Sequence, residues 1–289
     1  MNDLPIELKI TECPRDAMQG WSTFIPTEKK IDYLNALLRV GFHTLDFGSF
    51  VSSKAIPQLR DTAQVLESLR LDGVHSRLLA IVANLRGAKE AAAYPQINYL
   101  GYPFSISEEF QRRNTNSSME ESLHLVGEIV DECAATGKEP LIYISMGFGN
   151  PYGEPWSPEL VVQWVKKIAS MGVKTIALAD TVGVSTPANI AYLFSNLIPE
   201  VPEVEFIAHL HAQPHDWKAK IEAAYANGCK RFDSALMGIG GCPMANDALV
   251  GNVATEQLIR HFGGSNKLGL NDEALGVAMA LANGIFRHD

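Results

Sequence analysis

The amino-acid sequence predicts a (β/α)8 TIM barrel that occupies residues 1–289 as a single domain. Eight short apolar runs alternate with segments of helical period from one end of the chain to the other. The connections are short, and no linker rich in proline, glycine or serine divides them. A doubly wound open sheet is the alternative, because eight strand–helix units can also be laid flat.

The predicted strands are apolar and β-branched runs bounded by turn-forming residues. In chain order they are Glu7–Glu12, His43–Phe47, Arg77–Ala83, Ile97–Tyr102, Leu141–Met146, Lys174–Ala179, Val204–Leu210 and Arg231–Ala235.

Helix signals lie between these strands. Ser118 and Glu121 are spaced as a capping box, and Ser157 and Thr186 each precede a proline, as N-cap residues often do. Asn227-Gly228 is expected to end the helix after the seventh strand. We also expect a loop insertion around residues 236–252 and a helix at the C-terminus.

Composition excludes several functional classes. A net charge of −9 with no basic stripe argues against nucleic-acid binding. The sequence contains no run of 18 apolar residues that would predict a membrane span, and its N-terminus lacks the pattern of a secretory signal. The four cysteines are far apart, which favours free thiols and a cytoplasmic location.

Two histidines, His209 and His211, flank Leu210 where the seventh predicted strand ends. Strand side chains alternate faces, so residues at i and i+2 point the same way. Two imidazoles on one face can hold a single metal ion. The alternative is a pair of histidines that hydrogen-bond to loops.

Other polar residues follow the predicted strands, and in a barrel the strand ends and βα loops carry function. Together with the histidines, the candidates at this rim are Arg15, Asp16, Asp46, Asn84, Asp180, Thr181, Cys242 and Asn252. Asp16, the two histidines and an amide such as Asn252 would form a site of mixed oxygen and nitrogen ligands. Such a site favours Mg²⁺ or Mn²⁺, although two histidines and a carboxylate can also hold Zn²⁺ or Co²⁺.

Cys242 lies in a glycine-rich segment, Gly238-Ile239-Gly240-Gly241. A loop thiol can act as a general acid or base, or as a nucleophile, whereas a buried structural cysteine is the usual alternative. A Cys–His hydrolase with Cys242 as nucleophile therefore stays open, as does a metal-binding protein without activity.

Several other signals are weak. The run from Gly147 to Gly153 does not have the spacing of a dinucleotide-binding loop, and its proline prevents a helix from starting there. His215 is predicted to lie past the strand end. Arg112 and Arg113 fit a solvated helix end, although they and Lys54 are also candidates for phosphate contacts.

The chain resembles the 3-hydroxy-3-methylglutaryl-CoA (HMG-CoA) lyase family, which belongs to the DRE-TIM metallolyase superfamily. The resemblance runs from about Ile10 to about Ile259. The motifs that carry it are Pro14-Arg15-Asp16-Ala17-Met18-Gln19, Ser49-Phe50-Val51-Ser52-Ser53-Lys54, Asp180-Thr181-Val182-Gly183, His209-Leu210-His211, Gly240-Gly241-Cys242-Pro243 and Gly251-Asn252-Val253-Ala254-Thr255-Glu256.

The resemblance implies a TIM barrel that cleaves HMG-CoA to acetyl-CoA and acetoacetate, a reaction of leucine degradation and ketone-body formation. It implies a divalent cation held by Asp16, His209, His211 and Asn252. It further implies that Arg15 is the essential arginine, that Cys242 is the catalytic-loop cysteine, and that His209 and Asp46 take part in catalysis. Gln19, Asn84, Asp180 and Thr181 are the candidate substrate-binding residues, an acyl-CoA is the expected substrate, and a homodimer is the candidate assembly.

This chain also departs from the family pattern. Asp46 stands where the family usually has glutamate, Ala212 follows the second histidine where aspartate is usual, and residues 244–250 differ after the cysteine. The motif residues that follow Gln19 are replaced by Gly20-Trp21. A related hydroxyacyl-CoA, or another aldolase or Claisen-type reaction of the same superfamily, therefore remains an alternative.

Overall fold

A computed structural model of the chain describes residues 7–241 and 250–287. Eight parallel strands close into a barrel, so the predicted fold class is confirmed. The barrel strands are β1 (Lys9–Glu12), β2 (Thr44–Ser49), β3 (Arg77–Ile81), β4 (Ile97–Ser105), β5 (Glu139–Ser145), β6 (Thr175–Ala179), β7 (Glu205–His209) and β9 (Arg231–Ser234). Two further strands, β8 (His211–Ala212) and β10 (Gly251–Asn252), form a separate antiparallel pair.

Helices connect and cover these strands. They are α1 (Pro14–Gln19), α2 (Thr27–Val40), α3 (Thr62–Glu67), α4 (Leu85–Ala92), α5 (Glu108–Thr115), α6 (Met119–Thr136), α7 (Pro158–Ala169), α8 (Pro187–Glu200), α9 (Trp217–Ala226), α10 (Thr255–His261) and α11 (Asp272–Ile285). Short 3-10 turns occupy Pro57–Leu59, Leu236–Gly238 and Ser265–Leu268. None of the helices in the described ranges is long and apolar enough to cross a bilayer.

The predicted caps are confirmed. Ser118 and Glu121 form a reciprocal capping box at the start of α6. Ser157 and Thr186 cap α7 and α8, each followed by proline at the first helical position. Gly228, with φ 96°, follows the end of α9 in a conformation that favours glycine.

Alternation along the strands produces two apolar layers. One set of side chains fills the barrel interior, and its members are Leu79, Ile81, Tyr99, Leu141, Tyr143, Ala177 and Ile207. The other set, exemplified by Leu100, Ile142 and Ile176, packs outward against the helices. The barrel interior is therefore filled by side chains, and the strands can be reached by a ligand at the ends of the barrel.

Charged residues close the end of the barrel where the strands begin. Arg231 is 1% exposed, and its Nη1 lies 2.7 Å from Glu205 Oε2. Its Nη2 donates to Thr44 Oγ1 at 2.9 Å. Tyr99 lies between two guanidinium groups, with Arg77 Cζ 3.9 Å and Arg231 Cζ 5.1 Å from the ring centroid. These contacts hold the strands together at this end of the barrel, so their role is structural.

The two histidines lie on either side of the point where β7 ends. The barrel ladder of β7 ends at His209, and His211 belongs to β8, where it lies opposite Asn252. The chain leaves the barrel at Leu210, which is buried at 1% exposure, because the next residues pair with β10 rather than with a barrel strand. Leu210 packs into the outer apolar layer, whereas the rings of His209 and His211 lie side by side with their centroids 5.2 Å apart, as expected for residues two apart in extended chain.

Candidate active site

A cavity of about 160 Å³ opens where the barrel strands end. Its apolar side is formed by Val51, Ile56, Ile81, Ala83, Pro103, Phe110 and Ala179. Its polar side is formed by Arg15, Asp16, Gln19, Asn114, Thr115, Tyr143, Ser145, Thr181, His209 and His211. Six of the predicted site residues therefore line one cavity: Arg15, Asp16, Gln19, Thr181, His209 and His211.

Arg15 is the central cation of the polar side. It lies in α1, which begins at Pro14 directly after β1, and it is 8% exposed. Its Nη2 and Nε donate to Asp46 Oδ2 at 2.6 and 3.0 Å, which makes a two-point ion pair. Its Nη1 donates to Asp16 Oδ1 at 3.2 Å and to Gln19 Oε1 at 2.9 Å. These contacts leave one N–H of Nη2 for a ligand.

The carboxylates around Arg15 differ in their proton affinity. Burial raises the pKa of Asp46 to about 6, although the charge and hydrogen bonds of Arg15 oppose that shift. Burial also acts to raise the pKa of Asp16, but Arg15, His209 and His211 outweigh it and the net shift is downward. Burial acts to lower the pKa of Arg15, yet Asp46 and Asp16 raise it above its ordinary value. Asp16 is therefore an ionised, ligand-competent carboxylate at neutral pH.

His209 is oriented by Asp233. The register of β7 and β9 places the two residues opposite each other, and His209 Nδ1 lies 3.0 Å from Asp233 Oδ2. An ionised carboxylate only accepts, so Nδ1 carries the proton of the neutral ring and Nε2 keeps its lone pair. Burial acts to lower the pKa of His209, but the hydrogen bond and charge of Asp233 outweigh it and raise that pKa.

His211 is oriented by a main-chain carbonyl. Its Nδ1 lies 3.3 Å from the carbonyl oxygen of Thr181, which can only accept. Burial and the neighbouring His209 lower the pKa of His211 to about 4, so the ring is neutral at pH 7. Its Nε2 is buried and has no hydrogen-bond partner within the described part of the chain. An orphaned lone pair at this position fits a metal ligand.

Asn252 completes the polar cluster. Its Nδ2 donates to Asp16 Oδ2 at 2.7 Å and to the Ile239 carbonyl at 2.9 Å. Gly240 lies against this pair with φ 100°, and a Cβ there would come within 2.7 Å of Asn252 Nδ2. Only glycine allows the backbone to approach so closely.

Within residues 7–241 and 250–287, two groups of ligand atoms lie close enough to hold a metal ion. Asp16, His209 and His211 each offer one atom, and these atoms lie within 4.8 Å of one another. Cys13, His209 and Asp233 satisfy the same condition. Burial and the surrounding carboxylates raise the pKa of the Cys13 thiol well above its usual range, which disfavours the thiolate that metals bind. The first group, with Asn252 beside it, is the better metal site.

Four of the predicted site residues that the structure describes lie outside the cavity lining: Asn252, which contacts Asp16 from behind it, and Asn84, Asp180 and Asp46. Asn84 is exposed, and its side chain caps α4 by accepting from Gly87 N at 2.9 Å. Asp180 is buried and accepts from Ser185 N and from Lys220 Nζ. Asp46 lies behind Arg15, at 0% exposure.

The remaining candidates are Cys242, Arg112, Arg113, His215 and Lys54. Cys242 lies outside the described residues, as does most of the segment that follows it. Arg112 and Arg113 form exposed ion pairs with Glu108 and Glu109 one helical turn earlier, as expected for a solvated helix end. His215 and Lys54 are exposed.

Sequence reasoning missed several residues of the site. Asp233 lies within a predicted strand rather than after it, although its place near the strand end is a usable signal. Tyr143 lines the cavity from β5, and its buried hydroxyl has no hydrogen-bond partner among the described residues. Lys220 lies in α9, where only the three-dimensional structure shows that its ammonium turns toward His211.

Comparison with known proteins places these features in context. The family model described as HMGL-like matches residues 8–271. A cytoplasmic 3-hydroxy-3-methylglutaryl-CoA lyase from Rattus norvegicus is 34% identical over 278 residues, which cover 94% of this chain and 78% of the relative.

Solved structures agree with the sequence relatives. An HMG-CoA lyase from Acinetobacter baumannii in complex with coenzyme A and 3-methylmalate has a TM-score of 0.87 and 31% identity, covering 99% of this chain and 92% of that one. A hydroxymethylglutaryl-CoA lyase from Pseudomonas aeruginosa has a TM-score of 0.89 and 28% identity, covering 100% and 96%.

Proposed function

This chain belongs to the HMGL-like family and is an enzyme of the HMG-CoA lyase type, and from that premise we propose that it is a divalent-metal-dependent lyase. The substrate we propose is HMG-CoA or a closely related 3-hydroxyacyl-CoA. The products are acetyl-CoA and acetoacetate, formed by retro-Claisen cleavage of the bond between the hydroxyl-bearing carbon and the carbon next to the thioester. The cleavage yields a carbonyl on one fragment and an enolate on the other.

One observation carries this proposal. Asp16, His209 and His211 converge at the cavity with an ionised carboxylate and two lone-pair nitrogens, and Arg15 lies directly beside them. Two oxygen donors and two nitrogen donors, with Asn252 as the fourth ligand, suit Mg²⁺ or Mn²⁺ and also admit Zn²⁺ or Co²⁺. A cation bound there supplies Lewis acidity, which lowers the pKa of the substrate hydroxyl and favours its deprotonation.

Arg15 stabilises the negative charge that develops on the thioester oxygen. Its guanidinium is permanently charged, lines the cavity and retains one N–H that its protein contacts do not use. Asp46 holds that guanidinium by a two-point ion pair and so determines where the free N–H points. We therefore assign Asp46 to the orientation of Arg15.

His209 and Cys242 are the proposed proton carriers. Asp233 holds the proton of His209 Nδ1, so this ring can take up a proton only at Nε2, and only while Nε2 is not a ligand of the cation. Cys242, or a water ordered by it, is proposed to protonate the enolate carbon. Gln19 and Thr181 line the cavity and are proposed to contact the substrate.

Further proposals concern the whole protein. We propose a single domain over residues 1–289, with the catalytic-loop insertion around 236–252, and a homodimer as the assembly. A cytoplasmic location is supported by the free cysteines Cys13, Cys133 and Cys229.

A coupled assay tests the proposed reaction. HMG-CoA is supplied to the purified protein, and acetoacetate is followed by NADH oxidation with 3-hydroxybutyrate dehydrogenase. We expect activity that EDTA removes and that Mg²⁺ or Mn²⁺ restores. Acetoacetate formation at the full rate in EDTA would reject metal dependence. Release of CoA thiol without acetoacetate, unaffected by EDTA, would favour a Cys–His hydrolase, and turnover of only another hydroxyacyl substrate would reject HMG-CoA.

Asp16→Asn is the variant that connects this assay to the site. It keeps the size of the side chain but removes the charge that the cation requires, so activity should fall to near background. Asp61→Asn is the matched control, because Asp61 also forms an ion pair with a buried cation, Lys30, at 2.7 Å, but lies outside the cavity lining. Equal losses in the two variants would mean that the effect is structural.

A further inference from the structure

The two histidines of the site are held by different kinds of group. His209 Nδ1 is held by the carboxylate of Asp233, whereas His211 Nδ1 is held by the carbonyl of Thr181 at 3.3 Å. A main-chain carbonyl cannot turn toward the ring by itself. Its position depends on the segment that carries it, residues 180–183, and on what fixes that segment to the backbone of His211.

Lys220 joins this segment to His211. Its Nζ donates to the His211 carbonyl at 2.8 Å, to Asp180 Oδ2 at 3.1 Å and to the Gly183 carbonyl at 3.4 Å. An ammonium group has three N–H donors, so these acceptors satisfy all of them. The side chain is 2% exposed, and the contacts are therefore shielded from water.

The surroundings of Lys220 fix the segment from both sides. Asp180 is fully buried and also accepts from Ser185 N at 3.0 Å and from Ser185 Oγ. The next residue, Thr181, accepts from Met146 N at 2.8 Å through its Oγ1. A turn hydrogen bond from Gly183 N to the Asp180 carbonyl at 3.1 Å holds the backbone of this segment, and the Thr181 carbonyl faces the ring of His211.

We propose that Lys220 is a positioning residue for His211, which keeps Nδ1 protonated and leaves Nε2 free as a ligand. The ammonium holds the backbone of His211 and the segment 180–183 at a fixed separation, so that the carbonyl of Thr181 meets Nδ1. Without it, the ring is free to take the other tautomer and to present an N–H to the cation. The inference rests on the proposed function at one point, namely that Nε2 of His211 binds a divalent cation.

The first test measures the tautomer directly, in metal-free protein. Long-range ¹H–¹⁵N correlation spectra of protein with ¹⁵N-labelled histidine distinguish the two tautomers, and the signals of His211 are identified by their loss in His211→Gln. We expect Nδ1–H in the wild type and a shift toward Nε2–H in Lys220→Met. Lys30→Met is the matched control, because Lys30 is also 2% exposed and paired with an aspartate, yet contacts neither histidine.

The second test measures Mn²⁺ affinity by isothermal titration calorimetry. Removing a group that orients a metal ligand costs about 10–100-fold in affinity, and we expect about tenfold for Lys220→Met. Lys220→Arg, which retains the charge and the donors, should recover most of it, and Lys30→Met should leave it unchanged. If the wild type binds no Mn²⁺, the proposed function fails while the tautomer measurement still decides the role of Lys220.

A folded Lys220→Met protein that retains the wild-type tautomer and Mn²⁺ affinity would overturn the inference. If Lys220→Met does not fold, the double variant Lys220→Met/Asp180→Asn removes the carboxylate charge that the single variant leaves buried and unpaired. The same tautomer shift is expected in the double variant, and its absence would equally overturn the inference.

Discussion

The two ends of the barrel both bury charged side chains, but they arrange them differently. Where the strands begin, the guanidinium of Arg231 pairs with Glu205 and Thr44. Where the strands end, two carboxylates, Asp46 and Asp16, contact the guanidinium of Arg15, and a third, Asp233, holds His209. His211 Nε2 has no hydrogen-bond partner among the described residues. The contacts at the first end hold the fold, and we propose that the second end binds a cation and a substrate.

Loss of the rim guanidinium should give the largest effect on catalysis. Arg15→Met removes the donor proposed for the enolate oxygen, and removal of such a donor lowers kcat by about 10²–10³-fold. Steady-state kinetics in the coupled acetoacetate assay measure this loss, and thermal unfolding shows whether the fold survives. A variant with near-normal kcat would exclude Arg15 from charge stabilisation.

Loss of the guanidinium of Arg231, at the end where the strands begin, should lower stability and leave kcat nearly unchanged. Arg231→Met removes one of the two cations that pair with Glu205, the other being Lys9, and should lower the free energy of unfolding by about 1–2 kcal/mol. The loss is smaller than for a fully buried pair because Glu205 is about a third exposed and keeps Lys9. Urea unfolding measures the loss, and kcat of the folded variant should remain close to the wild-type value. A large loss of kcat at unchanged stability would contradict the division between the two ends.

Glu12, the last residue of β1, makes the stability of the fold near the rim depend on pH. It is fully buried, accepts from Leu236 N at 2.8 Å, and burial raises its pKa from 4.5 to about 8. The folded protein thus binds this proton more tightly than the unfolded chain. The stabilisation is complete below about pH 4.5 and is lost as pH rises through about 8.

Glu12→Gln should remove that dependence, because the amide imitates the protonated acid at every pH. The variant should become more stable relative to the wild type as pH rises from about 5 to about 8.5. Over this range, the difference between their free energies of unfolding should change by on the order of 4 kcal/mol at most. Urea unfolding across this range is the measurement. A difference that does not change with pH would show that Glu12 keeps an ordinary pKa in the folded protein.

Asn84→Ala should have the smallest effect. The side chain caps α4, and loss of such a cap costs about 1 kcal/mol of stability. KM for HMG-CoA should stay unchanged if capping is its only task. A raised KM with unchanged stability would instead assign Asn84 to substrate binding.

The sequence predicts much of this fold because each strand and cap leaves a local signal. The eight apolar runs, the capping box at Ser118 and the N-cap at Thr186 depend on neighbouring residues alone, so they can be recognised without a structure. The convergence of Asp16, His209 and His211 follows from the rule that functional residues gather at strand ends in a barrel.

The parts that could not be predicted depend on contacts between distant segments. Asp233 faces His209 only because the register of β7 and β9 places them opposite each other, and register is not readable from one strand. The break at Leu210 reflects pairing of His211 with Asn252, which is 41 positions away in the chain. Lys220 reaches His211 through the packing of α9, which periodicity alone does not specify.

Anomalous diffraction from a crystal grown with Mn²⁺ tests the central claim most directly. The account predicts one strong peak among Asp16, His209, His211 and Asn252, at about 2.0–2.3 Å from the carboxylate oxygen and from Nε2 of each histidine. A peak at Cys13, His209 and Asp233 instead, or no peak at the rim, would contradict it.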